Sequence, residues 1–127
     1  MKYFIKISII CFALSLIHAD MIRPAEGERV NYLHIPFEWD QEASASNYNL
    51  QVSSGPDFNT LVADINTSNV LYLLTDGIDW ESTYFWRVRP IFSLDNGLFE
   101  NGDWIDSKYF ITGEPAYDQP INVEIAD

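Results

Sequence analysis

The feature that constrains this chain most is the period of its apolar residues. Leu33, Ile35, Phe37 and Trp39 alternate with Tyr32, His34, Pro36 and Glu38, and a period of two marks a half-buried strand. Tyr48, Leu50 and Val52 alternate in the same way with Asn49, Gln51 and Ser53, and Tyr84, Trp86 and Val88 with Phe85, Arg87 and Arg89. Three further segments complete the set: Leu61–Ile65 after the Ser54–Asp57 turn, the run through Val70, Tyr72 and Leu74, and Asp106–Thr112 with Phe110 inward. After Ala19 no window of eleven residues holds the i, i+3, i+4 spacing of an amphipathic helix. Strands separated by Gly, Pro, Asn and Asp predict a single all-β domain, an antiparallel sandwich.

The first nineteen residues read differently. Lys2 and Lys6 precede a mostly apolar run, Ile7–Ile17, and Ala19 offers a small residue for cleavage. This is the pattern of a secretory signal peptide, and the run is too short to span about 30 Å of hydrocarbon. Residues 1–19 are therefore expected to direct export to a secreted, extracellular or periplasmic location, without stable membrane insertion. Removal leaves 108 residues (127 less 19) and moves the formal charge from −12 to −14, because only five of the seven basic side chains remain. It also removes Cys11 and His18, which leaves His34 as the one histidine and no cysteine. Disulfides and a Cys/His zinc cluster are then excluded, and nucleophilic triad chemistry would have to run through His34 alone. The acidity excludes nucleic acid as a partner, since phosphate binding needs clustered Lys and Arg.

Four landmarks carry a family resemblance. Trp39 closes a strand; Ala43–Ser53 leads into Asp57-Phe58; Ile78-Asp79-Trp80-Glu81-Ser82-Thr83-Tyr84-Phe85-Trp86-Arg87-Val88-Arg89 follows; and Trp104 precedes Phe110-Ile111-Thr112-Gly113. In this order they resemble a fibronectin type III domain of the bacterial secreted kind, over about Met21 to Gly113. The resemblance implies a seven-stranded immunoglobulin-like sandwich over residues 20–113. Residues 114–127 would form a linker or the start of a second domain, with Ile121, Val123 and Ile125 alternating along it. The chain departs from the family at Trp80-Glu81, where Pro-Gly is usual, and in a long segment before Trp104.

The resemblance and the alternation assign structural roles. Trp39 and Trp86 should fill the core. Tyr84, six residues after Ile78, has the spacing of a tyrosine corner, its hydroxyl bonded to backbone near the turn. Arg87 and Arg89 share an outer face with Phe85, and Trp104 is expected to stack on one of them, as in the related cytokine-receptor modules. His34 should lie on the outer face.

Functional signals are few. The loop from Phe92 to Asp103 carries Leu94, Leu98 and Phe99, and Leu98, Phe99 and Trp104 form the candidate binding surface. Alternatively, Asn96-Gly97 turns this segment into a small hairpin. Asp95, Asn96, Glu100, Asn101, Asp103 and Asp106 supply oxygen ligands without the spacing of a calcium loop. Asn66-Thr67-Ser68 is a glycosylation sequon, of consequence only in a eukaryotic secretory pathway. No catalytic set or cofactor motif is present. The expected role is a non-catalytic accessory, spacer or docking module of a larger extracellular enzyme or surface protein. The alternative is a module that binds a glycan or protein. Its partner would accordingly be a neighbouring domain of a longer chain, an extracellular protein or a glycan.

Overall fold

The computed structural model describes residues 20–116, so the proposed signal peptide and the alternating C-terminal segment lie outside the described residues. Within them the chain forms nine strands and no helix: β1 (Met21–Arg23), β2 (Glu28–Val30), β3 (Ile35–Trp39), β4 (Ala45–Ser53), β5 (Leu61–Thr67), β6 (Leu71–Leu74), β7 (Thr83–Ser93), β8 (Phe99–Asn101) and β9 (Lys108–Thr112). Strands β1-β3-β6 make a small sheet. Strands β2-β9-β7-β4-β5 make a larger one, with β8 also paired to β7. All pairings are antiparallel except that of β2 with β9.

Nine strands stand where seven are expected. Strands β1 and β2 are separated by residues 24–27 and belong to different sheets. Strands β8 and β9 are separated by residues 102–107, yet both run along β7. Across that gap only isolated ladder bonds survive, from the Gly102 amide to the Pro90 carbonyl (2.8 Å) and from the Ile105 amide to the Val88 carbonyl (2.9 Å). Pro90 offers no N–H in return. The ladder is therefore one-sided where Trp104 leaves the strand path.

The core sits between the sheets. Ile35, Phe37 and Trp39 from β3 meet Leu50 and Val52 from β4, Trp86 and Val88 from β7 and Phe110 from β9, all essentially without solvent contact. Phe37 packs edge-on against Trp86 (5.0 Å between centroids) and against Phe110 (5.9 Å). Each large ring buries about 200 Å², a gross gain of about 5 kcal/mol as an upper bound. The Trp86 indole N–H donates to the Pro24 carbonyl at 3.2 Å, whereas the buried Trp39 Nε1 has no partner among the described residues. No helix among these residues is long and apolar enough to cross a membrane.

Candidate functional site

The outer face of the larger sheet is built by β4 and β7 in register. Because Trp86, Val88 and Pro90 point to the core, Arg87 and Arg89 point away from it. Gln51 stands opposite Arg87, and Asn49 opposite Arg89. Arg87 donates from Nε (3.1 Å) and Nη2 (2.8 Å) to the Gln51 Oε1, and Arg89 donates from Nε to the Asn49 Oδ1 at 3.1 Å. The two amides turn their nitrogens the other way, onto Asp64 of β5. Asn49 Nδ2 lies 2.7 Å from one carboxylate oxygen, and Gln51 Nε2 lies 3.3 Å from the other. A carboxylate thus faces two guanidinium groups through a layer of amides.

Rings complete the assembly. The Arg87 guanidinium carbon lies 4.2 Å from the Phe58 centroid and 4.0 Å from that of Trp104, and Arg89 lies 4.2 Å from Trp104. One face of an indole has no room for two planar cations at this distance, so the guanidiniums take both faces. The order is Phe58, Arg87, Trp104, Arg89, with both arginines engaged by the indole. Burial, and to a lesser extent the neighbouring Arg89, lowers the Arg87 pKa from its ordinary value, and Asp64 opposes that shift. Phe58 is held in the left-handed region (φ 58°), its amide bonded to the Gly55 carbonyl. Its role went unread in the sequence because it sits in a turn, outside any alternating run. Asn49, Gln51 and Asp64 are legible only once strand register is known.

The other residues singled out fall in separate places. Trp39 and Trp86 are in the core. Tyr84 stacks on Phe110 (5.7 Å), and its hydroxyl accepts a bond from the Asp79 amide at 2.8 Å. His34 is exposed just ahead of β3. Leu98 and Phe99 are 61% and 64% exposed, whereas Trp104 is half-buried and occupied by its own arginines. The three therefore do not make one free surface. The expected loop of residues 92–103 is mostly a hairpin between β7 and β8, closed by the Leu94 amide on the Leu98 carbonyl (2.8 Å). Gly97 adopts φ 84° in that turn.

Beside the ladder is an open depression of about 760 Å³, lined by Asp20, Glu42, Glu100, Asp103, Asp106 and Lys108 with Phe92 and Trp104 among them. Its charge favours cations and repels polyanions. Among the described residues no three His, Cys, Asp or Glu side chains converge to hold a metal ion, and the Asn96 carboxamide is turned onto the Leu98 amide. No family model matches the chain, and neither the curated proteins nor the solved structures searched contain a match.

Proposed function

We propose that the chain is a non-catalytic, secreted sandwich module of the fibronectin type III kind, serving as an accessory, spacer or docking unit of a larger extracellular enzyme or surface protein. The observation that carries this reading is the destination of the polar residues on the larger sheet. Arg87, Arg89, Gln51, Asn49 and Asp64 are spent on one another, as the side chains of a scaffold would be. The strand order supports it. With β1/β2 and β8/β9 each taken as one interrupted strand, seven strands remain, three in one sheet and four in the other, as in immunoglobulin-like sandwiches. The test is the reading frame after Asp127. A further folded domain in frame is the expected result, and a stop codon there overturns the accessory reading.

A second reading has its own observation. Leu98 and Phe99 hold two large apolar side chains in solvent at the tip of the β7–β8 hairpin, the usual position for binding residues on this architecture. Binding to arrayed glycans and secreted proteins should fall at least tenfold in a Leu98→Ala/Phe99→Ala variant. Unchanged binding removes this surface from consideration.

A further inference from the structure

The edges of the two sheets are not protected alike. Among the described residues five strands have an open side: β1, β2, β5, β6 and β8. Four of these carry a charge within the strand: Arg23 in β1, Glu28 and Arg29 in β2, Asp64 in β5 and Glu100 in β8. Charged side chains on an edge are the common defence against pairing with another chain. Strand β6, Leu-Tyr-Leu-Leu, has none. It pairs with β3 on one side only, and Leu71 and Leu73 are 49% and 53% exposed on the outer face.

That face is also electrically quiet. Opposite Leu71 stands Glu38, paired to Arg23 at 2.8 Å, and opposite Leu73 stands Pro36. In a chain of formal charge −12, two copies repel over most of their surface. They approach at least cost where the local charge cancels and apolar area is exposed. A self-complementary edge meets both conditions at once, because a two-fold axis brings the same strand from each copy into contact.

We propose that β6 is a homodimer edge. Two copies pair antiparallel through Leu71–Leu74 and join their three-stranded sheets into one of six. With the axis at Tyr72, Leu71 of one copy stands opposite Leu73 of the other, and the four leucines form one cluster on the outer face. Directly opposed side chains in such a pair have Cβ atoms about 5 Å apart, so the cluster is continuous.

The test is the mass of the purified chain by sedimentation from micromolar to millimolar protein. A concentration-dependent dimer is expected. The exposed positions allow Leu71→Glu/Leu73→Glu and Leu71→Lys/Leu73→Lys variants, each checked for a native circular dichroism spectrum. Each alone should be monomeric, because opposed like charges repel, and an equimolar mixture should recover a heterodimer. Wild-type chain that stays monomeric at millimolar concentration, a charged variant that still dimerises, or a mixture that fails to associate overturns the proposal.

Discussion

Arg87 and Trp104 are stacked with the guanidinium carbon 4.0 Å from the ring centroid, and the contact joins two segments that the backbone ladder holds only loosely. Trp104 lies in the gap between β8 and β9, where just two amides reach β7. Its indole, gripped by Arg87 and Arg89, supplies the side-chain part of that attachment together with Ile105, which packs against the core. Substitution Trp104→Ala should cost about 3 kcal/mol, from lost packing and two cation–π contacts. Urea unfolding measures it, and Trp104→Phe should recover part of the loss.

The amide layer is tested at Gln51. Its carbonyl oxygen accepts both bonds from Arg87, so Gln51→Leu leaves a part-buried guanidinium with fewer partners. A loss of about 2 kcal/mol is expected. Burial and Arg89 already hold the Arg87 pKa down, but an arginine remains charged at any physiological pH. The loss should therefore be flat across neutral pH, which unfolding midpoints at several pH values check.

Glu81 occupies the left-handed region (φ 53°) in the turn before β7, while its amide donates to the Gly113 carbonyl at 2.9 Å. This is where the chain departs from the Pro-Gly of the resembled family. A left-handed non-glycine residue costs about 1 kcal/mol, and glycine keeps the same amide bond. Glu81→Gly should raise stability by about 0.5 kcal/mol after the added freedom of the unfolded chain is subtracted. Calorimetry would show it as a small rise in Tm.

The hydroxyl of Tyr84 accepts the Asp79 amide at 2.8 Å, and the Thr112 hydroxyl donates to the Asp79 carbonyl at 2.6 Å. Tyr84→Phe leaves the amide without its acceptor while the ring stays on Phe110. A loss of about 1.5 kcal/mol is expected, with faster hydrogen exchange at the Asp79 amide.

Leu98 and Phe99 give the contrasting case. Both are well over half exposed, so Leu98→Ser/Phe99→Ser should leave unfolding free energy within about 0.5 kcal/mol of wild type. A larger loss in urea would mean that the hairpin tip is part of the fold and not a surface held ready for a partner.

Period-two alternation is a local property, and it was enough to place Trp39 and Trp86 in the core and to turn Arg87, Arg89 and His34 outward. The sandwich class followed, because alternating strands without helices can bury one face only against another sheet. What locality could not supply is which residues meet across strands. Asn49 and Gln51 look like ordinary solvent-facing polar residues until register sets them opposite Arg89 and Arg87. Phe58 looks like a turn residue until the turn folds its ring over a guanidinium. The alternation of Val70, Tyr72 and Leu74 already put Leu71 and Leu73 on the other face. That this face lies on an edge left open among the described residues, its Glu38 neutralised by Arg23, was decided by the order of strands in the small sheet, and strand order is a property of the whole fold.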